Sequence, residues 1–338
     1  MNFFTRLDSP GKRIAAGFFF VLTALSLGAR PRAETPPEAA GPLPPLTLTI
    51  GILRGPSGLG AVKMMEDLKT LPDNVEVSYV LLPSPVEMIA RISSGEVQGA
   101  LLPLNTAAKL YTAGGGYPLA AVPGWGNLFL LSRDSSIAGF RDLEGKTVHT
   151  TGAGATPDYL FRYLARASGA DINRINLDYS FPVTQLAQLA AAGRVNTALV
   201  PQPYAAVIQA ASADMVLRLD IQEQWRRTRG TEYTYPMTAF TLSGDFAQSR
   251  PAAYRALLEA YDQSITWVTS HPEEAAALAE AHEIIAAGPA RLAIPQSGLF
   301  FLTAQQAKQP AEDFLAVLLQ MDPDSVGDRL PDDSFYLP

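Results

Sequence analysis

The sequence predicts a two-lobed α/β fold, a clam-shell in which each lobe is a mostly parallel sheet flanked by helices and two strands form the hinge. Three observations carry this expectation. Two successive series of alternating β-like and helical runs are present, the two series share a short internal repeat, and a β-like segment followed by helices comes after the second series ends. The first series runs LTLTIGILR from Leu46, then GLGAVKMMEDLKT, NVEVSYVLL, SPVEMIARISSG, VQGALLP and NTAAKLYTAGG. The second begins after Arg141 with KTVHTTG, TPDYLFRYLARASG, INLDYSF, PVTQLAQLAAAG, VNTALVP, QPYAAVIQAAS and MVLRL. Repeated strand–helix–strand units imply parallel sheets, because a crossover helix returns the chain to the edge from which it started.

The repeat aligns residues 95–103 (GEVQGALLP) with residues 193–201 (GRVNTALVP) without gaps. Each copy follows an amphipathic helix, ends it at glycine, passes through an apolar strand and stops at proline. Each lobe also opens with a strand leading into a glycine-rich turn, Gly55-Pro56-Ser57-Gly58 in the first and Gly152-Ala153-Gly154-Ala155-Thr156-Pro157 in the second. Thr156 suits a helix N-cap and Pro157 the first helical turn. Residues 231–243 read as a long β-like segment. Helical patterns over 251–270, 272–287 and 311–321 follow and are expected to pack back on the first lobe. With 126–133 as the outward crossing, lobe 1 comprises 46–128 plus 240–338 and lobe 2 comprises 129–239.

The N-terminus reads as a secretory signal peptide over residues 1–33. Arg6, Lys12 and Arg13 precede an uncharged apolar run over 14–27, and small residues follow. That run is shorter than the ~20 residues a spanning helix needs. Cleavage after Ala29 or Ala33 fits, and residues 34–45 (ETPPEAAGPLPP) form a Pro-rich leader. The expected destination is the periplasm, by the general secretory route, because Lys12-Arg13 is not a twin arginine. The chain has no cysteine, which excludes disulfides, thiolate metal sites and a lipid-anchored cysteine. Residues 1–33 hold five basic side chains and one acidic one, so their removal moves the formal charge from −7 to −11. Such a balance argues against nucleic acid as a partner.

In open α/β sheets, ligands bind beyond the carboxyl ends of strands, where helix N-termini present free N–H groups. Two facing lobes bring two such edges together. The candidate ring is Arg54, Gly55, Ser57 and Gly58 after the first strand, Asn105 and Thr106 after the third, and Trp125 and Asn127 at the crossing. Gly154, Ala155 and Thr156 open the second lobe, with Gln202, Tyr204 and Tyr235 opposite. Glycines admit close backbone approach, Ser, Thr, Asn and Gln supply neutral hydrogen bonds, and Trp and Tyr supply flat faces. The ring favours a flat heteroaromatic ligand, with a sulfonate-like anion held at the helix N-termini as the runner-up.

Several motifs mimic catalytic ones. Gly145-Lys146-Thr147 lacks the upstream glycine of a phosphate loop, where Phe140 stands, and precedes a strand. Gly55-Pro56-Ser57-Gly58-Leu59 misses the final glycine of a nucleophile elbow. Gly152-Ala153-Gly154 continues to Pro157 rather than to the third glycine of a dinucleotide fingerprint. His271 and His282 lack a third metal ligand, and His149 reads as a strand residue. No catalytic residue, metal or cofactor is expected.

The runs LEGKTVHTTGAGATPDYLFRYLARASG, QLAAAGRVNTALVPQPYAAVI and GEVQGALLPLNTAAKLYTAGG resemble the SsuA-like branch of periplasmic solute-binding proteins of ABC importers. That branch includes binders of sulfonates, taurine, nitrate-like anions and the pyrimidine precursor of thiamine. The resemblance implies a monomer that closes on a small molecule and docks on an inner-membrane ABC permease. The branch often carries aspartate at the places of Gln98 and Asn196, and an acidic residue at that of Gln202. The rival readings are a ligand-sensing module for a membrane receptor and a cofactor-precursor enzyme of the same fold. The enzyme reading resembles a cysteine-dependent iron chemistry for which this chain has no cysteine.

Overall fold

A computed structural model describes residues 43–338, so the expected signal peptide lies outside the described residues. From Leu46 the chain forms β1 (Leu46–Leu53), a 3-10 turn (Pro56–Ala61), α1 (Val62–Asp67), β2 (Thr70–Leu71), β3 (Val75–Leu82), α2 (Pro85–Ser93), β4 (Gly99–Pro103), α3 (Leu104–Thr112) and β5 (Leu119–Trp125). It then passes through β6 (Leu128–Ser132), β7 (Thr147–His149), α4 (Thr156–Ala167), β8 (Asn176–Asp178), α5 (Val183–Ala191), β9 (Thr197–Pro201), α6 (Tyr204–Ala211), β10 (Val216–Asp220) and α7 (Ile221–Arg229). The return consists of β11 (Pro236–Leu242), α8 (Gly244–Ser249), α9 (Pro251–Ser270), α10 (Pro272–Ala281), α11 (Ala287–Ala293), β12 (Leu299–Thr303) and α12 (Ala304–Met321).

Two sheets result, in the orders β12-β5-β11-β4-β1-β3-β2 and β10-β6-β9-β7-β8. The first sheet ends its outward run at Trp125 and the second begins at Leu128. The first resumes at Pro236, four residues before the expected boundary at 240. Both sheets share one central plan at a constant offset of 98 positions. Gly51 pairs with Val80 and Ala100 as His149 pairs with Asp178 and Ala198. The repeat seen in the sequence is the inner strand of each plan, β4 and β9. Gly95 and Gly193 adopt φ values of 76° and 75° just beyond α2 and α5. In each case the glycine N–H and the next N–H bond back to carbonyls of the last helical turn, a closure that requires the left-handed conformation glycine adopts without strain.

Where the lobes join, Gly126 lies against the return connection. A Cβ there would fall 2.7 Å from the Tyr235 ring and 2.8 Å from the Gln222 side chain, so only glycine fits. Gln222, buried on α7, accepts the Leu128 N–H at 2.9 Å and the Tyr235 O–H at 2.5 Å through the same Oε1. One amide thus ties the outward and return crossings together. Trp225, Tyr235 and Phe314 pack around it, with ring centroids 5.6–5.8 Å apart.

Some expectations change. β5, hidden in the sequence by Pro123 and Gly124, appears with register shifts against both neighbours, irregularities of the kind at which proline is found within sheets. α12 starts at Ala304, not at residue 311. The Thr303/Gln306 capping box starts the helix, and it runs through the buried Pro310. The β-like segment 231–243 becomes a strand only from Pro236. Thr156 is the first helical residue of α4 rather than its N-cap. Ala155 holds the cap position, and the free N–H of Gly154 donates to the Asp158 carboxylate.

Two outcomes follow from these contacts. Gln222→Leu, which strands two buried donors, lowers unfolding free energy by about 2–4 kcal/mol in urea titrations. Thr156→Ala, which removes no cap, changes the unfolding free energy by less than about 0.5 kcal/mol in the same titrations.

Candidate functional site

The carboxyl ends of β1, β4 and β5 and the start of β11 meet at the hinge. Thr238 of β11 pairs with Pro103 and Gly124, which brings the chain after β1, the end of β4 and the crossing onto one cavity of about 90 Å³. Its polar wall consists of Ser57, Asn127, Thr238 and Ser297; Trp125, Met237 and Leu299 supply the apolar part. Among the described residues no charged side chain lines it. Larger hollows include one of 370 Å³ between α1 and α9 and one of 440 Å³ that shares Trp125 and Leu299 with this cavity.

Ser57, Trp125 and Asn127 of the expected ring reach this cavity together. Asn127 is buried, and its Oδ1 has no protein partner, so hydrogen-bonding capacity is left over beside the cavity. The Asn127 carbonyl accepts the Gln202 N–H at 3.0 Å, which fixes the crossing against the end of β9. Sequence reasoning missed Met237, Thr238, Ser297 and Leu299. Thr238 lay within a recognised β-like run, but only the pairing of β11 with β4 and β5 turns it to the cavity. The short IPQS stretch before Gly298 offered no signal.

Other expected members are placed elsewhere. Tyr235 is fully buried in the aromatic cluster and offers no face to a ligand. Trp125 is 3% exposed, flanked by Tyr233 and Phe300, and its indole N–H donates to the Phe300 carbonyl at 2.8 Å. Gln202 is fully buried. Its Oε1 accepts the Ala206 N–H at the start of α6 and its Nε2 donates to Gln296 Oε1 at 3.3 Å. Tyr204 lines a separate, mostly apolar groove with Val207, Ile285 and Pro289. Asn105 donates to the Ser325 carbonyl at 3.2 Å, and Thr106 follows it on α3. Arg54 is exposed and paired with Glu283 at 2.9 Å, while Gly55 and Gly58 shape the turn behind Ser57.

The start of α4 has its own charge arrangement. Asp158 is buried there; its Oδ1 accepts Arg162 Nε–H and the Tyr179 O–H at 2.5 Å each, and its Oδ2 accepts the Gly154 N–H at 3.0 Å. Burial, then the adjacent carboxylate, pushes the Tyr179 phenol up to about 12, so it stays a donor at neutral pH. A built-in carboxylate therefore already occupies the positive end of this helix. Gly154, Ala155 and Thr156 lie on the loop this network holds.

Among the described residues, no group of His, Cys, Asp and Glu is arranged to hold a metal, and no helix is long and apolar enough to cross a membrane. His149 lies on β7 and His271 between α9 and α10.

A profile described as the NMT1-like family matches residues 132–285, from the end of β6 to the turn after α10. No curated protein matches the chain. Among solved structures, one described as an ABC transporter from Parabacteroides distasonis is 27% identical, with a TM-score of 0.75, 86% of this chain and 99% of that chain being covered. The periplasmic aliphatic sulphonate-binding protein SsuA from Escherichia coli is 17% identical, with a TM-score of 0.64, covering 86% and 93%. The periplasmic nitrate-binding protein NrtA from Synechocystis PCC 6803 is 14% identical, with a TM-score of 0.58, covering 86% of each chain. These neighbours are described as transporter or binding components, not as enzymes, in line with the resemblance read from the sequence. The chain thus carries a region that matches the NMT1-like profile within the two-lobed α/β fold that these neighbours share.

Proposed function

We propose that the protein captures a small solute between its lobes in the periplasm and delivers it to an inner-membrane ABC permease. The observation that carries this reading is the uncharged cavity at the hinge, where Ser57, Asn127, Thr238 and Ser297 converge and Asn127 has spare hydrogen-bonding capacity. A site walled by hydroxyls and one amide suits a compact polar solute recognised by neutral hydrogen bonds. Lobe closure by hinge rotation about the two crossings is the expected route of capture.

Two ligand classes compete within this reading. Oxyanions of the kind named for the sulphonate- and nitrate-binding neighbours would need positive potential at the site. Yet Arg54 is paired with Glu283, and Asp158 already neutralises the start of α4. A flat heteroaromatic solute loses the Tyr235 face, and the Trp125 ring is itself almost wholly buried. A small, uncharged, hydrogen-bonding molecule fits these facts better than either.

Mass spectrometry of material released from freshly purified, denatured protein identifies the solute. Titration with it is expected to reduce the radius of gyration in small-angle scattering; an unchanged radius with binding confirmed would refute hinge closure. Asn127→Ala is expected to weaken binding about tenfold, since each buried hydrogen bond contributes about 0.5–1.5 kcal/mol, and Thr238→Val by a similar factor. Arg54→Ala should leave affinity within about twofold. A large loss on Arg54→Ala, with a steep salt dependence, would establish the oxyanion instead.

A further inference from the structure

Side-chain contacts that cross between the lobes outside the solute cavity include Gln202 with Gln296 at 3.3 Å, Arg229 with Asp313 at 3.2 Å, and one at the start of α4. Tyr159, on the first turn of α4, donates its hydroxyl to the Asp322 carboxylate at the end of α12. Both residues are half-buried. Among the described residues Tyr159 is the sole side-chain donor to that carboxylate, and no cation pairs with it. Burial, then Asp322 itself, pushes the phenol up to about 12, so it remains a protonated donor at any neutral pH.

The acceptor is held from the cavity side. Asn105, two residues beyond the cavity-lining Pro103, donates to the Ser325 carbonyl, and Lys109 pairs with Asp324 at 2.8 Å. These contacts staple the turn at 322–326 to α3. The donor is held from the opposite wall, where Asp158 fixes the Gly154 loop immediately before Tyr159. Each end of the bond is therefore braced on its own lobe, and rotation about the hinge acts on the bond itself.

We propose that Tyr159 and Asp322 form an inter-lobe latch, positioning residues that hold the lobes together around the solute and set how long it is retained. The proposal rests on the capture reading for its purpose, but the latch is measurable without knowing the solute. The chain has no cysteine, so Glu87→Cys and Gln185→Cys, exposed and equivalent positions on the two lobes, accept spin labels without background. Distances between them report lobe separation by pulsed electron resonance.

In protein freed of bound material by unfolding and refolding, Tyr159→Phe is expected to lower the ratio of short to long distances about tenfold, the scale of a hydrogen bond to a charged carboxylate. Asp322→Asn is expected to act in the same direction, and the double variant no further than the stronger single one. Tyr111→Phe removes a Tyr–Asp bond of the same chemistry, to Asp332 at 3.0 Å, that lies within lobe 1, and should leave the distribution unchanged. Superimposable distributions for wild type and Tyr159→Phe, or an equal shift on Tyr111→Phe, overturn the latch. If the expected shift appears and purified protein releases no small molecule, the latch stands and the capture reading fails. If a solute is released and no shift appears, the capture reading stands and the latch fails.

Discussion

The two lobes depend on one buried amide. Gln222 Oε1 takes the Leu128 N–H from the chain leaving the first sheet and the Tyr235 O–H from the chain returning to it. Both donors are buried, and water cannot replace their partner without entering the aromatic cluster. The crossings are thereby held side by side, close enough that Gly126 has no room for a methyl group. Part of the hinge cavity adjoins this tie along the chain. Asn127 precedes Leu128, Thr238 follows Tyr235 by three positions, and Gln202 bonds the backbone of Asn127. The two crossings are thus pinned to each other at this point.

Electrostatics divides the two walls of the cleft. Helix N-termini generally favour anions, and a carboxylate at the first turn uses up that potential. Asp158 does so for α4 while locking the glycine-rich loop in front of it. Among the described residues, the hinge cavity is lined by hydroxyls, an amide and apolar groups alone. The fold neighbours named for sulphonate and nitrate share the architecture, but architecture alone does not transmit the charge of a ligand. That property belongs to individual side chains, and here they are neutral or already paired.

The lobes repeat one plan with little sequence in common. The constant offset from β1 to β4 and from β7 to β9 preserves the glycine closures after α2 and α5 and the prolines ending β4 and β9. Side chains at matching places have diverged in use. Leu104 at the start of α3 is buried core, whereas Gln202, at the same offset, caps α6 and crosses to Gln296. Shared backbone geometry with divergent side chains lets two similar lobes form unlike walls of one cleft.

The sequence alone determined the two α/β series, their repeat, and most strand and helix positions, because period-2 and period-3.6 apolar patterns and glycine closures are local signals. It also placed Ser57 after the first strand and Trp125 and Asn127 at the crossing. Tertiary structure decided the rest. β5 was concealed by Pro123, and its pairing with β11 and β12 shifts register along its length. Tyr235 passed for a ligand face until the return crossing carried it beneath Trp225 and Phe314, and Asn105 for a ligand contact until the turn at 325 claimed its amide. Thr238 and Ser297 gained their places only by long-range pairing of the returning chain. Which partner a polar side chain meets depends on residues more than a hundred positions away, and no local pattern encodes that distance.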